Sequence, residues 1–332
     1  MMRNALRACS RPEPWKRGPV LTALALLLGL LLLLHAAIPD FAGLGSLVES
    51  VLPWLGVLIP VLLAAALWRR SLSAGAALLL PAVVWTTLFG GLLHDKSHPG
   101  GDLTVATHNV GAANPDPAGT ARALASSGAD LLALEELTPR AAPLYEKALA
   151  ETYPHHAVRG TVGLWSKLPL SGTRTIDVMN YGPLAATKSA AAELPENRAL
   201  RTTVTTPHGP MAVYVAHLGS VRPMPRHGFW TASRDIGAAA LTKAVTTERT
   251  PRVLLLADLN GTWDDRAFTD LRAHLHSTQT TSGAGFGFTW PTTFPLARID
   301  QILYRNLTAD RSWTLPGTGS DHLPVAATLS WP

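Results

Sequence analysis

The sequence has little cysteine and little charge. Its single cysteine, Cys9, leaves no intrachain disulfide and no cysteine-based zinc site among the 332 residues. Only 15% of the residues are charged, whereas about a quarter are charged in a typical soluble domain. Hydrophobic residues make up 47% of the chain. This composition is unusual for a fully soluble protein, and Cys9 is either lipidated near a membrane or an inert thiol.

The positive charge is unevenly distributed. The net charge is +5 at neutral pH, and residues 1–100 hold 8 of the 28 lysines and arginines and 4 of the 23 acidic residues. Positions 101–332 therefore hold 20 basic and 19 acidic residues and are nearly neutral. Proteins that grip long nucleic acid through its phosphates need a strongly basic surface, so the sequence does not favour that class for the C-terminal part.

Three long uncharged segments occupy most of the first hundred residues. They are Pro19–Pro39, Val51–Trp68 and Leu72–Leu93, each close to the roughly 20 residues that cross a bilayer core. A secretory signal peptide is the alternative for the first segment. Its apolar stretch exceeds the usual run of about 7–15 residues, however, and two more segments follow. The sequence therefore predicts a three-helix transmembrane anchor over residues 19–93.

Basic residues in the short loops predict the orientation of this anchor. The tail at residues 1–18 holds five of them, and Arg69 and Arg70 lie between the second and third segments. The loop between the first and second segments contains only Asp40 and Glu49 as charged residues. We therefore expect a multi-pass protein of the cell membrane with a cytoplasmic N-terminus. Everything after the third crossing is then extracytoplasmic, and the absence of charge inside the segments gives no sign of transport.

Beyond a linker at residues 94–101, short apolar strands alternate with amphipathic helices and then follow one another directly. Residues 102–332 are numerous enough to form one large core. Among the predicted strands is Ala190–Glu193, and a helix is predicted over Trp230–Val245. This order favours an α/β chain built as an α+β four-layer sandwich, with two packed, mostly antiparallel sheets flanked by helices, over a single doubly wound sheet.

Polar residues suited to chemistry recur where these predicted strands end. They are Asn109, Glu136, His217, Asp258, Asn260, Asp321 and His322. Taken singly, a strand-end asparagine or aspartate is usually a turn former, and a lone histidine is usually half-buried. Seven such positions in one domain make turn chemistry alone a poor explanation. Because strands are rigid, their end residues converge on one rim of the domain.

These positions also resemble the motifs of a known family. The matching stretches are Thr107-His-Asn-Val110, Asp130-Leu-Leu-Ala-Leu-Glu-Glu136, Val215-Ala-His-Leu218, Leu256-Ala-Asp-Leu-Asn260, Arg298-Ile-Asp300 and Ser320-Asp-His322. From about Leu103 to Leu329 the chain is similar to the endonuclease/exonuclease/phosphatase superfamily of metal-dependent phosphoesterases. That superfamily includes deoxyribonuclease I-like nucleases, inositol-phosphate phosphatases and neutral sphingomyelinases. With its apolar N-terminus, the chain resembles a membrane-anchored member of bacterial type.

Two departures from the family pattern bear on the site. Glu135 stands where the family commonly has glutamine, and Ala257 stands where it commonly has glycine. The alanine is a small change. The extra carboxylate of Glu135 either adds negative charge at the metal or points away from it, because neighbouring strand residues face opposite sides.

The resemblance implies a role for each strand-end residue. Glu136 would be the leading metal ligand, helped by Asn109 and by Asp321. Asn109 would also contact the substrate phosphate. Hard oxygen ligands without thiolate suit Mg²⁺, or Mn²⁺, better than zinc.

The remaining residues would act on the phosphate ester itself. Asp258 would orient or deprotonate the attacking water, and Asn260 would hold a phosphoryl oxygen. His322 would serve as general base or transition-state stabiliser, oriented by Asp300, since a carboxylate on one imidazole nitrogen fixes its tautomer. His217 would hold a phosphate oxygen or serve as the acid, and the assignment of acid and base between the two histidines stays open.

These observations favour a membrane-tethered, extracytoplasmic, Mg²⁺-dependent phosphoesterase. The substrate would be a phosphodiester or phosphomonoester, such as a phospholipid head group, a nucleotide or nucleic acid. The tether favours a substrate at or near the bilayer, and the proline-rich loop flanked by Arg222 and His227 is interpreted as facing it. The alternative is a non-catalytic binding or scaffold module that retains the fold. The sequence gives no indication of a protein partner.

Overall fold

A computed structural model describes residues 13, 15, 17–179 and 197–332. The predicted strand Ala190–Glu193 lies outside the described residues. The chain separates into two compact units. One contains Met1–Pro39 and Val51–Gly91, and the other contains Asp40–Ser50 and Leu92–Pro332.

The helices of the described chain follow one another in this order. They are α1 (Pro19–Leu34), α2 (Leu44–Leu55), α3 (Leu58–Arg69), α4 (Leu72–Ala77), α5 (Leu79–Phe89), α6 (Pro117–Ala125), α7 (Ala142–Leu149), α8 (Ala232–Thr246), α9 (Thr269–Arg272) and α10 (Thr278–Ser282). Short 3₁₀ turns lie at His35–Ala37, Phe41–Gly43, Gly90–Leu93 and Arg266–Phe268.

Two helical stretches of the first unit, Pro19–Ala37 and Leu72–Leu93, are each long and apolar enough to cross a membrane. The predicted second span is broken, because α2 and α3 are separate helices that meet at 57°. Pro60 lies in the first turn of α3 and has no N–H to offer the carbonyl of Gly56, which favours a bend or break in the helix at this point. The described residues thus hold two candidate spans, or three if the bent pair counts as one.

Within its described residues, the second unit contains fourteen strands. They are β1 (Leu103–Asn109), β2 (Leu131–Glu135), β3 (His155–Arg159), β4 (Val162–Ser166), β5 (Leu170–Thr175), β6 (Ala199–Thr206), β7 (Gly209–His217), β8 (Arg222–Met224), β9 (Gly228–Trp230), β10 (Arg252–Asp258), β11 (His276–Ser277), β12 (Asp300–Arg305), β13 (Thr308–Thr314) and β14 (Val325–Ser330).

Twelve of these strands form two mixed six-stranded sheets. The first sheet has the order β13-β14-β1-β2-β4-β3 and the second β11-β12-β10-β7-β6-β5, while β8 and β9 form a separate hairpin. Each six-stranded sheet has one parallel pair, β1 with β2 and β10 with β7, and its other pairings are antiparallel. The expectation of two packed sheets flanked by helices is confirmed.

Apolar side chains hold the layers together. Val105 and Leu131 of the first sheet share one buried cluster with Val213 and Leu254 of the second. Because successive strand residues point to opposite faces, the alternate residues are directed outward. On the outer face of the first sheet, Leu132 packs with residues of α6 and α7, and a third cluster joins the second sheet to α8. The result is a helix–sheet–sheet–helix sandwich.

The edge strands are the part of the sandwich that sequence patterning does not predict. Strands β3, β5 and β13 lie at or near the sheet edges, and most residues of β5 are exposed. Such strands lack the apolar run by which a buried strand is recognised. The predicted helix Trp230–Val245 is present as α8, and its first two residues belong instead to β9 and the turn after it.

Candidate active site

Strand pairing brings the polar strand ends to one rim. The parallel register of β1 and β2 places Asn109 opposite Glu135, and that of β7 and β10 places His217 opposite Asp258. Across the antiparallel pair β10–β12, Asp258 faces Asp300. The carboxyl ends of parallel strands lie at the same edge of a sheet, so residues far apart in sequence meet here.

His322 pairs with Asp300 in the interior of the rim. The imidazole Nδ1 lies 3.0 and 3.1 Å from the two carboxylate oxygens of Asp300, and both side chains are buried. Burial alone would lower the pKa of His322, but the charges of Asp300, Asp258 and Asp321 outweigh it and raise that pKa to about 10. The side chain is therefore an imidazolium at neutral pH. Its positive charge in turn holds the pKa of Asp300 below its ordinary value, against the effect of burial.

The loop that carries His322 is fastened to the end of β1. The Ser320 hydroxyl donates to the carbonyl of Asn109 over 2.7 Å and accepts from the His322 N–H over 3.1 Å. Gly319 has φ +91, a conformation that side-chain-bearing residues rarely adopt. These contacts fix the imidazole relative to the strand ends.

Asp258 is buried and held by two amides. Its Oδ2 accepts from the Asn109 side chain over 2.9 Å, and its Oδ1 accepts from the backbone N–H of Asn260 over 2.9 Å. Burial, reinforced by the nearby charge of Asp300, raises the pKa of Asp258 to about 7. Asn260 has φ +49, which asparagine tolerates better than most residues, and its amide nitrogen donates to the carbonyl of Leu218 over 3.0 Å.

Glu136 turns off the end of β2 into the pocket. Its φ is +59, and this conformation, uncommon for glutamate, directs the side chain away from the strand. One carboxylate oxygen accepts from the Ala112 N–H over 2.9 Å, and the other lies 3.7 Å from His217 Nε2. Burial acts to raise the pKa of Glu136, but His217 and the Ala112 hydrogen bond lower it further than burial raises it. The side chain is 27% exposed, so a ligand can reach it.

Glu135, the adjacent acid, points away from the pocket. It is fully buried and is not among the residues that line the pocket. One oxygen accepts from the Thr107 hydroxyl over 2.7 Å, and the other has no hydrogen-bond partner among the described residues. Burial raises the pKa of Glu135 well above its ordinary value. Of the two alternatives drawn from the sequence, the second applies, and Glu135 points away from the pocket.

His217 lies behind the rim as a neutral imidazole. Burial, and secondarily the charge of Arg198, lower its pKa to about 4. Its Nε2 is 3.7 Å from Glu136 and 3.6 Å from Asp258, and neither ring nitrogen has a hydrogen-bond partner in the described part of the chain. A neutral imidazole can donate one hydrogen bond, but it carries no charge at pH 7.

The rim opens into a pocket of about 430 Å³. One wall is polar and is formed by Asn109, Glu136, Asp258, Asn260, Asp321 and His322. The lining also includes Val221, Pro223 and Phe229, so the proline-rich loop contributes to the pocket. Asp321 is exposed at the mouth, where it accepts from the Trp290 indole over 3.1 Å.

The eight residues singled out from the sequence thus gather around one pocket. Six line it directly, whereas Asp300 and His217 lie in a second layer behind His322 and Asp258. Sequence reasoning missed Arg234, which is 1% exposed, lines the pocket and pairs with Asp265 over 2.8 Å. An arginine within the otherwise small-residue helix α8 was the available signal.

The donor set of the rim fits a hard divalent cation. Asp258, Asp300 and His322 offer donor atoms that all lie within 4.8 Å of one another. This group differs from the ligands expected from the sequence, which were Glu136, Asn109 and Asp321. Burial, and secondarily the charge of the facing Asp300, raise the pKa of Asp258, and a bound cation would offset both effects on the carboxylate. Oxygen donors with little histidine suit Mg²⁺ or Mn²⁺.

Comparisons with known proteins agree with this geometry. The model of the Endonuclease/Exonuclease/phosphatase family matches residues 106–322. Among curated proteins, no sequence matches the chain.

Solved structures share the fold at low sequence identity. An endonuclease/exonuclease/phosphatase from Beutenbergia cavernae is 18% identical with a TM-score of 0.54, covering 70% of this chain and 72% of that one. A mannosyl-6-phosphatase from Bacteroides thetaiotaomicron is 14% identical, with a TM-score of 0.53 over 69% of this chain and 99% of that one. TDP2 from D. rerio, complexed with single-strand DNA product, is 19% identical, with a TM-score of 0.53 over 68% and 98%.

These structures support the sandwich fold alone, because their identities are low. The family model carries the assignment, since it spans more than half of the sequence and includes all eight site residues. The chain therefore belongs to the endonuclease/exonuclease/phosphatase family, whose members are metal-dependent phosphoesterases.

Proposed function

We propose that the protein is a membrane-tethered, metal-dependent phosphoesterase that acts outside the cytoplasm. One observation carries the proposal: an Asp300–His322 pair, a crowded aspartate and a reachable glutamate converge on one pocket. Phosphate ester cleavage needs a countercharge for the phosphoryl oxygens, an oriented water and help for the leaving oxygen. The pocket offers groups for the countercharge and for the oriented water.

His322 and Asp258 perform the central steps in this proposal. The imidazolium of His322 stabilises negative charge on the phosphoryl group, and Asp300 holds its ring in place. Asp258, with a pKa near 7, is suited to take a proton from water at neutral pH. Asn109 and Asn260 keep its carboxylate in position through their hydrogen bonds.

Glu136 belongs to the polar wall, and His217 lies in the layer behind it. As a neutral imidazole beside the carboxylates of Glu136 and Asp258, His217 supports these two side chains rather than serving as the acid. We assign metal binding to the carboxylates of Glu136 and Asp258, because His322 is an imidazolium already paired with Asp300, and Asn109 and Asp321 line the same pocket and can assist. A bound Mg²⁺ or Mn²⁺ supplies electrostatic stabilisation of the phosphoryl oxygens.

The proposed arrangement in the membrane is a cytoplasmic tail at 1–18, an anchor at 19–93, a linker at 94–101 and a catalytic domain at 102–332. The apolar helices support the anchor. The loop at 40–50 packs in one unit with residues 92–332, which supports placing both on the same side of the membrane. The second and third predicted spans lie between these two stretches, and two crossings return the chain to the same side of the membrane. The distribution of basic residues in the loops predicts the same arrangement.

The test is hydrolysis by the full chain purified in a mild detergent. We expect the chain to release nitrophenol from p-nitrophenyl phosphate or bis-p-nitrophenyl phosphate with Mg²⁺, and a chelator to abolish the release. Glu136→Ala and His322→Ala should each lower the rate by about 100-fold or more. Glu151→Ala, a change to an exposed acid outside the pocket, is the matched control.

Two results would count against the proposal. Wild-type rates in both variants would exclude the assigned site. Metal binding without hydrolysis of any phosphate ester would instead support a non-catalytic binding module.

A further inference from the structure

The segment Asp40–Ser50, which joins the first two predicted spans, is built into the catalytic unit. We call it the inter-span segment. Glu49 is 3% exposed, and both of its carboxylate oxygens accept hydrogen bonds from Arg266. One oxygen accepts from Arg266 Nη2 over 2.8 Å, and the other accepts from the Arg266 backbone N–H over 2.8 Å and from its Nε over 3.0 Å. A buried, bidentate pair of this kind is specific in geometry.

A second buried contact lies one helical turn earlier. Ser46 is fully buried, accepts from Arg234 Nη2 over 2.9 Å, and donates to Asp265. Arg234 and Asp265 form an ion pair that is itself almost completely buried. Buried charges need all of their hydrogen-bond partners, so the serine of the inter-span segment completes a network inside the catalytic domain.

The backbone of the segment also meets the β8–β9 hairpin directly. A Cβ added to Gly43, which has φ +74, would lie 1.7 Å from the carbonyl oxygen of Phe229. A Cβ on Gly228 would lie 2.6 Å from the carbonyl oxygen of Ala42. Only glycine permits these close approaches. The hairpin in question is the one that contributes Pro223 and Phe229 to the pocket.

The inter-span segment therefore forms part of the pocket wall. Ser50, its last residue, lines the pocket together with Arg234, Pro223 and Phe229. Val51 follows directly in sequence and begins a predicted span, and consecutive Cα atoms are only about 3.8 Å apart. The pocket wall is thus joined covalently to the membrane anchor.

Two segments that contribute residues to the pocket also carry exposed apolar side chains. On the inter-span segment, Phe41 is 82% exposed, and Leu44 and Leu47 are also exposed. On the loop that carries the pocket residues Trp290 and Ala297, Phe294 is 66% exposed. Exposed apolar groups of this kind mark protein or membrane contacts, and continuity with the anchor identifies the bilayer as the partner.

We propose that the inter-span segment is part of the substrate site and that the pocket acts on phosphate esters anchored in the bilayer in preference to freely diffusing ones. This inference rests on the proposed phosphoesterase function. An ester held by its lipid chain at the membrane surface would meet a pocket whose lining residue Ser50 directly precedes a predicted span in the sequence. A near-neutral domain offers long nucleic acid no comparable attraction.

The test compares the hydrolysis of the same p-nitrophenyl phosphodiester group on a membrane-held probe and on a soluble probe. The full chain is reconstituted in phosphatidylcholine vesicles and given p-nitrophenyl hexadecyl phosphate in the bilayer or p-nitrophenyl methyl phosphate in solution. Hexadecyl phosphate and ethyl phosphate serve as the corresponding monoester pair. For the wild type, we expect kcat/KM for the membrane-held probe to exceed that for the soluble probe by about tenfold or more.

Two variants probe the segment and the apolar rim. Glu49→Ala releases the inter-span segment from Arg266 and should lower the membrane-to-soluble ratio by about tenfold. Phe294→Asp removes an exposed apolar group and should lower the same ratio by about tenfold without disturbing the core. The matched control, Glu248→Gln, neutralises a buried Glu–Arg pair with Arg201 on another part of the domain and should leave the ratio unchanged.

The outcomes separate this inference from the function on which it rests. If neither probe is hydrolysed in the presence of Mg²⁺, the phosphoesterase proposal fails. If both are hydrolysed at equal efficiency, or if the ratio is the same in Phe294→Asp and wild type, the enzyme stands and the membrane preference is overturned. Phe294 is exposed, so its replacement is informative even where Glu49→Ala does not fold.

Discussion

Replacing Asp300 with asparagine removes the charge that keeps His322 protonated. The two carboxylate oxygens lie 3.0 and 3.1 Å from His322 Nδ1, and asparagine preserves the shape and one acceptor oxygen. Burial of the imidazole lowers the pKa of His322, and in the variant the charges of Asp258 and Asp321 remain to raise it. We expect the pKa of His322 to fall from about 10 toward its ordinary value of about 6.5 or below.

The expected loss of folding free energy follows from the pKa shift of His322. A rise in the His322 pKa from 6.5 to about 10 corresponds to at most roughly 5 kcal/mol of folding free energy. Breaking a buried ion pair typically costs about 3–5 kcal/mol, so the two estimates agree. Because the folded-state pKa is raised, this contribution is complete below pH ~6.5 and is lost as pH rises toward 10. Asp300→Asn should therefore destabilise strongly at pH ~6 and much less near pH ~10.

The assay is urea unfolding of the full chain in a mild detergent and a chelator, followed by tryptophan fluorescence at both pH values. An NMR titration of the histidine rings measures the His322 pKa directly. Asp310→Asn is the matched control, since Asp310 is also buried and bonds Ser330 at the opposite end of β14. Equal destabilisation at both pH values, or a His322 that still titrates near 10 in Asp300→Asn, would refute the reasoning.

Two further predictions concern the second acid and the orientation of the chain. Glu135→Gln keeps the acceptor for Thr107 and removes a carboxyl whose folded-state pKa is raised by burial. This group should make the free energy of unfolding of the wild type fall as pH rises above ~4.5, by at most about 1.4 kcal/mol per pH unit. Urea unfolding at several pH values should show that the free energy of unfolding falls less steeply in the variant. Cys9, the single cysteine, lies in the tail proposed to be cytoplasmic. A membrane-impermeant maleimide should label it only after permeabilisation, whereas a cysteine in Glu151→Cys should be labelled in intact cells, and the reverse pattern would invert the proposed topology.

Much of the sandwich could be predicted because its central strands are apolar throughout. Strands such as β2 and β10 are almost entirely buried, so their sequences are continuous runs of hydrophobic residues. The edge strand β5 alternates weakly and is mostly exposed, and nothing in its composition separates it from a loop. The break between α2 and α3 was also missed, although Pro60 marks it.

The members of the site could be predicted better than their states. Asn109, Asp258 and His322 could be identified from the sequence because each is a polar residue at the end of a predicted strand or in the loop beside it. All three line the pocket. Alternation along β2 indicated that Glu135 and Glu136 face opposite ways, but only the left-handed backbone at Glu136 decided which one enters the pocket. Glu49 and Arg266 are 217 positions apart in the sequence, so no local sequence pattern predicts their contact.

The sequence by itself determined the family, the order of the rim residues and the presence of apolar segments before the catalytic domain. These properties depend on residue type and spacing along the chain. The tertiary structure alone decided that His322 is charged, that His217 is neutral, that the pKa of Glu135 is raised, and that Ser50 of the inter-span segment lines the pocket. Protonation depends on burial and on charges a few ångströms away, and those neighbours come from distant parts of the chain.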